Sequence, residues 1–542
     1  MLVSEAVGAT LAELGVRQAF GVVGSGNFDV TNALLAGGAR YVPARHEGGA
    51  ATMADAYARM SGEVSALTLH QGCGLTNAMT GITEAAKSRT PMLVLAAESN
   101  VPTSNFAVDQ AALAAAVGAS TVRLSSAADA VTETVRAFHL ARDERRTVVV
   151  NLPLEVQGAT ALDVPVPQPS APPSPVGPST ADVTALADLL RQAQRPVLIA
   201  GRGAREARNE LLALADACGA LVATSAVARG LFNSSPWSLD VSGGFASPLA
   251  ASLITDADVI VGFGCALNMW TMRHGRLIGT DAQVAQVDIE PNALGKHRPI
   301  HLGVVGDSAV TAAAVTQSLP AGSATRYREE AVGERIAREI RWRDVPYEDW
   351  GGDGTIDPRT LTIALDDLLP AERVVAVDSG NFMGYPSMFL SVPDEYGFCF
   401  TQAFQSIGLG LATAIGAALA QPSRLPVAAL GDGGALMAAA ELDTVRRLGL
   451  PMLVVVYDDA AYGAEVHHFA DGQPLDTVTF PDTDIAAIGA GYGLEAAIVR
   501  TPDDLDTVRR WVDGPRDRAL LVDAKVAAPR GSWWLEEAFR GH

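Results

Sequence analysis

The chain has 542 residues, 48% hydrophobic and 19% charged, which excludes a disordered polymer and leaves room for about three to five domains with cores of their own. Its 61 acidic and 40 basic residues leave a formal charge of −21, which argues against nucleic acid or an anionic membrane as partner, because a phosphate surface needs a basic footprint. Four widely spaced cysteines with no Cys-x-x-Cys pair argue against a disulfide framework or zinc ribbon and suit a reduced, cytoplasmic protein.

The chain opens with MLVSEAVGATLAELGV, which carries Glu5 and Glu13 and no basic start, so it reads as an amphipathic helix and not as a signal peptide. Gly24-Ser25-Gly26-Asn27 is turn chemistry, with Ser25 an equal candidate for a ligand pocket. Strand YVPAR (41–45) then runs into His46-Glu47-Gly48-Gly49-Ala50 and a helix. Glu47 is either an N-cap or a functional acid at a strand's C-terminal end, where α/β sheets bind ligands. Strand VSALTL leads into His70-Gln71-Gly72-Cys73-Gly74, so His70 shares that sheet end with Glu47. Cys73 has no partner base in view and reads as packing.

Seven prolines between Pro165 and Pro178 make 165–180 a linker. In the following region, Gly201-Arg202-Gly203 lacks the third glycine of a dinucleotide fingerprint and reads mainly as a structural turn. Segment 321–357 is a charged linker whose run RYREEAVGERIAREIRWRD reads as a solvated surface helix. Throughout, apolar runs such as ADVIVGFG (257–264), RVVAVDSG (373–380) and PMLVVVYDD (451–459) alternate with Ala-rich helical stretches. That pattern predicts an α/β fold of three doubly wound parallel-sheet domains, over 1–164, 181–320 and 358–528, with a tail from 529 to 542. IGLGLATAIGAALA (407–420) is the most apolar stretch and falls short of the ~18 or more residues of a membrane span. Segments 74–98 and 434–458 both run from Gly through a helix into Pro-Met-Leu-Val and an acid, with Glu84 and Glu441 at comparable places. The first and third domains are therefore expected to be copies of one unit around a different middle domain.

The strongest local signal is Leu430-Gly431-Asp432-Gly433-Gly434 at the end of an apolar strand, followed by a helix expected from Ala435 to Arg447 whose free N–H groups favour phosphate. Asp459 follows Asp432 by 27 residues, the length of one strand–helix–strand unit. Two carboxylates at neighbouring strand ends can converge on a hard cation, and Mg²⁺ takes a few carboxylate or carbonyl ligands plus phosphate oxygens. A strand–helix turn merely capped by Asp is the bland alternative, which the second acid weakens. No Walker loop occurs, which argues against a nucleotide triphosphatase.

Taken together, His46-Glu47-Gly48-Gly49-Ala50 and Gly431-Asp432-Gly433 with an acid 27 residues on resemble the thiamine-diphosphate enzymes, in particular the group of acetolactate synthase, benzoylformate decarboxylase and pyruvate oxidase. The resemblance spans essentially the whole chain, as pyrimidine-binding, middle and diphosphate-binding domains. It implies thiamine diphosphate and Mg²⁺ as cofactors. Glu47 then hydrogen-bonds the aminopyrimidine ring and promotes loss of the thiazolium proton. Metal and diphosphate fall to Asp432, Asp459 and the backbone carbonyl of Ala461, with N–H groups of Gly433, Gly434 and Ala435 and with Gly431 and Tyr462 in the same cofactor set. Gln405-Ser406-Ile407-Gly408 matches the family's Gly-x-Met-Gly, making Ile407 the wedge that holds the cofactor bent and setting the backbone of Gln405 and Ile407 against the pyrimidine. Ser379, Gly380 and Asn381 lie at a further strand end facing the diphosphate. His70 and Ser25 match polar substrate-pocket positions, and Glu465 matches the spacing of a proton-relay glutamate. Tyr462-Gly463-Ala464-Glu465 resembles the corresponding segment of sulfoacetaldehyde acetyltransferase.

The implied activity is decarboxylation of a 2-oxo acid with transfer of the acyl unit to an aldehyde or ketone acceptor. The alternatives are a simple decarboxylase, a C–C lyase or hydrolase of a 1,2-diketone, and, in another class, a non-catalytic binding subunit. Retention of Glu47 with Asp432 and Asp459 argues against the last. An NAD- or FAD-dependent oxidoreductase is weakened by the missing fingerprint, and FAD in the middle domain is left undecided. The family's assembly implies a homodimer or homotetramer with sites between the first domain of one subunit and the third domain of another. Three departures stand out. Asp459 replaces the usual Asn beside Asp458, which strengthens cation affinity and repels diphosphate. Gly72-Cys73-Gly74-Leu75-Thr76-Asn77 stands where acetolactate synthases have Gly-Pro-Gly-Ala-Thr-Asn, and of their Phe-Gln-Glu signature only Phe106 fits. His467 and His468 are adjacent, so at most one faces a cleft.

Overall fold

In the computed structural model, which describes residues 1–162, 170–320, 324–469 and 472–540, the alternating apolar runs form three six-stranded sheets. The first holds β1 (Gln18–Gly21), β2 (Arg40–Pro43), β3 (Ser65–Leu69), β4 (Met92–Glu98), β5 (Ser120–Arg123) and β6 (Thr147–Pro153), in the order β2-β1-β3-β4-β6-β5. The second holds β7 (Pro196–Ala200), β8 (Leu221–Thr224), β9 (Ser238–Val241), β10 (Val259–Phe263), β11 (Gln283–Asp288) and β12 (Leu302–Val305), in the order β12-β11-β10-β7-β8-β9. The third holds β13 (Arg373–Val377), β14 (Phe398–Phe400), β15 (Leu425–Gly431), β16 (Leu453–Asp458), β17 (Glu495–Val499) and β18 (Leu520–Lys525), in the order β14-β13-β15-β16-β18-β17.

Neighbouring strands in all three sheets are parallel, with helices on both faces, as the continuous apolar runs predict. The first and third sheets share one strand order and the second has another, so the duplicated segments do mark two copies of one unit around a different middle. Parallel strands put every C-terminal end on one edge of a sheet, and that edge carries the candidate residues of the first and third domains.

Helices Glu47–Ser61 and Gly410–Ala420 pack the first domain on the third. The apolar stretch at 407–420 thus belongs to a buried inter-domain helix. Its approach is close: a Cβ at Gly416 would lie 2.3 Å from the Met53 carbonyl oxygen. Overpacking such a contact costs about 1–3 kcal/mol. Among the described residues no helix is long and apolar enough to cross a membrane.

Residues 165–169 of the Pro-rich linker, with the domain boundary at 164, lie outside the described residues; 170–179 has no regular structure, and a helix starts at Thr180. Residues 321–323 of the charged linker lie outside as well. The rest holds a mainly exposed helix, Glu330–Glu339, shorter than the charged run and anchored by buried Ile336. Of the C-terminal tail, 541–542 lie outside, and Trp533–Phe539 is helical. Gly201 and Gly203 serve as a structural turn: a Cβ on Gly201 would meet the Gly264 carbonyl oxygen at 2.2 Å, and one on Gly203 the Gly264 Cα at 2.9 Å.

Candidate active site

The third domain assembles its acids at the ends of β13, β15 and β16. Gly431 ends β15 in extended conformation and Asp432 opens a helix that runs only to Met437, followed by a 3-10 turn and the helix Leu442–Leu448. The expected helix from Ala435 to Arg447 therefore starts three residues earlier and is interrupted. An acid in a first turn suits the helix dipole, which offsets the poor helix propensity of Gly-Asp-Gly-Gly. Asp459 follows β16, and the Ala461 N–H faces both it and Asp432. Burial, then Asp458, pushes the Asp432 carboxyl up to about 7; burial, then Asp432 and Asp458, pushes Asp459 up to about 8.

Asp458 acts on the pair through its charge and has hydrogen-bond partners of its own. Its Oδ2 accepts a hydrogen bond from Lys525 Nζ at 2.5 Å and its Oδ1 one from the Ala460 N–H at 2.9 Å. Asp432, buried, and Asp459, half-buried, both held up mainly by burial, have the hard-oxygen chemistry of a divalent-cation site. The glycines beside it leave room for close packing. A Cβ on Gly433 would meet the Tyr462 ring at 2.7 Å, and one on Gly434 the Asp378 carboxylate at 2.3 Å.

Asp378, absent from the sequence reading, is the fully buried support of this turn. Its carboxylate accepts N–H groups of Ser379 (2.8 Å), Gly408 (3.0 Å) and Leu409 (3.3 Å), and burial pushes it up to about 6. It thereby joins the Ser379-Gly380-Asn381 strand end to Gln405-Ser406-Ile407-Gly408. Gln405 holds a left-handed φ of 61°, which a Gly would adopt without strain, and lines a cavity of about 280 Å³ where the three domains meet. Ile407 is half-buried. Asn381 commits its side-chain oxygen to the Ser532 N–H (2.8 Å) and its carbonyl to Ser532 Oγ (2.7 Å) and Trp534 Nε1 (2.9 Å). Glu465 is exposed on Gly463–His468, His467 is half-buried and His468 is exposed.

The first domain holds the other half. His46, not Glu47, caps the helix Glu47–Ser61: its Nδ1 accepts the Gly48 N–H at 3.0 Å. The Glu47 carboxylate instead accepts Asn77 Nδ2 at 3.0 Å. His70 Nδ1 accepts the Gly26 N–H at 3.3 Å, which sets the imidazole beside the Ser25 turn, and its ring meets Phe106 edge-on at 5.2 Å. Ser25 is exposed, in a turn closed by Asn27 Oδ1 on the Gly24 N–H at 2.8 Å. Cys73 is exposed at the start of helix Cys73–Lys87, which corrects the expectation of packing. The structure thus groups Glu47 with Asn77, His70 with the Ser25 turn and Phe106, and Asp432 with Asp459. The cavity beside Asp432 and Tyr462 is lined by third-domain residues.

Two like α/β units with a Gly-Asp-Gly-Gly strand end and a paired-acid site around a third sheet define a cofactor-dependent enzyme of the three-domain thiamine class. The comparisons with known proteins agree. The N-terminal TPP binding domain of thiamine pyrophosphate enzymes matches residues 1–121, the central domain 183–315 and the C-terminal TPP binding domain 378–523. The chain belongs to the thiamine pyrophosphate enzyme family and is a thiamine-diphosphate-dependent enzyme. It is 28% identical to a sulfoacetaldehyde acetyltransferase of Castellaniella defragrans, over 96% of this chain and 92% of that one. It is 28% identical to a probable 2-ketoarginine decarboxylase of Pseudomonas aeruginosa, over 92% and 89%, and 26% identical to a probable acetolactate synthase large subunit of Methanocaldococcus jannaschii, over 93% and 88%.

Proposed function

We propose that this enzyme decarboxylates a 2-oxo acid with thiamine diphosphate and Mg²⁺ and passes the acyl unit to an aldehyde or ketone acceptor. The observation that carries the reading is the pairing of buried Asp432 with half-buried Asp459 beside Gly433 and Gly434. Two acids with no cation partner among the described residues suit Mg²⁺, with the Ala461 carbonyl as a further ligand, and N–H groups of Gly433, Gly434 and Ala435 suit a diphosphate. Bound there, thiamine diphosphate supplies the electron sink for the carbon–carbon bond that breaks as CO₂ leaves.

The chain's own residues do the rest. Glu47, freed from capping by His46, holds and returns a proton at the pyrimidine ring. The backbone of Gln405 and Ile407 would meet that ring, with Asp378 fixing their turn through the Gly408 and Leu409 N–H groups. Because His70 Nδ1 accepts the Gly26 N–H, the neutral imidazole carries its proton on Nε2, able to donate to a substrate oxygen. Glu465 is the proton donor on the third-domain side. Exposed Leu436 and Met437 beside Asp432 suit cover by a second copy, in keeping with a homodimer or homotetramer whose active sites lie between subunits. Cysteine usage suits a cytoplasmic protein.

Acyl transfer is favoured by the similarity to acetyltransferases and acetolactate synthases; the similarity to a decarboxylase keeps simple protonation of the acyl unit as the second reading. Calorimetric titration of thiamine diphosphate with and without Mg²⁺ tests the site: affinity must depend on the metal and vanish in Asp432→Ala.

A further inference from the structure

Glu441 and Glu84 stand at matching places in the third and first domains, and each reaches across to the other. Glu441 ends the 3-10 turn Ala439–Glu441 and is 3% exposed. Its Oε1 accepts the N–H groups of Arg45 and His46, each at 3.0 Å, and its Oε2 the hydroxyl of Thr444 at 2.6 Å. Glu84 is fully buried; its Oε1 accepts the Ala403 N–H at 3.0 Å and its Oε2 the Phe404 N–H at 2.6 Å. Arg59 Nη2 and Ser88 Oγ also donate to Glu84 Oε1, at 2.8 and 3.3 Å. The peptides held by Glu441 directly precede Glu47, and those held by Glu84 directly precede Gln405.

The contact is built into the motif. A Cβ on Gly49 would lie 2.6 Å from Glu441 Oε1, so the second glycine after Glu47 makes room for this carboxylate. Asp443 accepts Arg45 Nε at 2.6 Å, and Arg447 donates to the Pro43 carbonyl at 2.6 Å, so the same third-domain segment grips the strand end on both sides of the turn. An apolar side chain would join two domains without the desolvation cost. A buried carboxylate aimed at two consecutive N–H groups fixes an orientation as well.

We propose that Glu441 is a positioning residue for Glu47: it fixes the peptide from which the Glu47 helix starts and so sets the angle at which the Glu47 carboxylate is presented, with Glu84 acting likewise on the turn at Gln405. The inference rests on the reading that Glu47 meets the cofactor. A group displaced by about 1 Å from its working geometry loses on the order of 10²-fold in rate.

Wild type, Glu441→Ala and Glu441→Gln are compared in four ways: amide hydrogen exchange over 43–50 in the cofactor-free protein, thiamine diphosphate affinity with Mg²⁺, kcat against KM, and exchange of the bound cofactor's thiazolium C2 proton for deuterium. In Glu441→Ala the Arg45 and His46 amides lose protection, C2 exchange and kcat fall by about 10–10²-fold, and KM and cofactor affinity hold. Glu441→Gln keeps an acceptor oxygen and recovers most of the rate. Wild-type C2 exchange in Glu441→Ala overturns the proposal, as does an equal loss of cofactor affinity and exchange in both variants. If Glu441→Ala does not fold, Glu441→Asp replaces it: one methylene short, it must slow exchange where Glu441→Gln does not, and equal rates overturn the proposal. Wild-type protein that binds thiamine diphosphate without C2 exchange contradicts instead the reading of Glu47 on which the proposal stands.

Discussion

Lys525 Nζ stands 2.5 Å from Asp458 Oδ2, the two residues being paired in register across β16 and β18. The same ammonium meets Asp482 Oδ1 at 2.5 Å, the Thr483 carbonyl at 2.9 Å and Asp523 Oδ2 at 3.1 Å. The consecutive acids Asp458 and Asp459 therefore divide their work. One is neutralised by a buried lysine, and the other is left to the candidate cation site. The repulsion of diphosphate expected from a double acid is offset in part by the Lys525 ammonium on the next strand.

Lys525→Met should remove that compensation and leave Asp458 and Asp523 buried without a cation. Breaking a buried ion pair from one side costs about 3–5 kcal/mol. Thermal unfolding should show a fall of several degrees, and titration a weaker affinity for thiamine diphosphate. An unchanged melting temperature with unchanged affinity would remove Lys525 from the electrostatics of the site.

Metal and cofactor binding should depend on pH through Asp432 and Asp459. Both stand above the ordinary carboxyl value of 3.8, at about 7 and about 8. In the metal-free chain they contribute stability that is fully present below about pH 4 and is lost as pH rises through about 7 to 8. A cation needs the ionised pair, so Mg²⁺-dependent affinity for thiamine diphosphate should rise over the same window. Asp459→Asn should keep binding, since the amide oxygen still coordinates. Titration calorimetry between about pH 6 and 9 checks this, and a flat affinity across that range contradicts it.

Glu47→Gln should keep fold and cofactor binding and lose about 10²–10⁴-fold in turnover, the usual worth of a positioned acid–base group. Stability should not move, because His46 supplies the helix cap. Steady-state rates beside cofactor occupancy decide it: near-normal turnover at full occupancy takes Glu47 out of the chemistry.

His70→Ala and Glu465→Gln should alter the ratio of aldehyde to ligated product more than they alter cofactor affinity. His70 is the residue set beside Ser25 and Phe106, and Glu465 is exposed on the helix after the acid pair. Product analysis over several donors and acceptors checks this; ratios equal to wild type in both variants would assign the two residues to turn and surface roles.

The architecture was legible because buried parallel strands are continuous apolar runs, and the paired acids because one strand–helix–strand unit separates two neighbouring strand ends. The matching of Glu84 with Glu441 was visible too, through the repeated Gly-to-Pro-Met-Leu-Val segments. What each glutamate holds was not, since Arg45 and Ala403 lie hundreds of residues away along the chain. Lys525 with Asp458, and Ser532 with Asn381, are long-range pairs of the same kind, set by strand register and by the docking of the C-terminal helix. His46 and Glu47 could each cap a helix, and only the backbone geometry separates them. The early helix start at Asp432 shows tertiary packing overriding the weak propensity of glycine.

The most direct test of the whole account feeds the purified protein a panel of 2-oxo acids, with and without acceptor aldehydes, and follows CO₂ release and product masses. The account expects CO₂ from at least one 2-oxo acid only when thiamine diphosphate and Mg²⁺ are both present, a ligated product when an acceptor is supplied, and loss of both in Glu47→Gln. Protein saturated with thiamine diphosphate and Mg²⁺ that releases no CO₂ from any 2-oxo acid of the panel would contradict it.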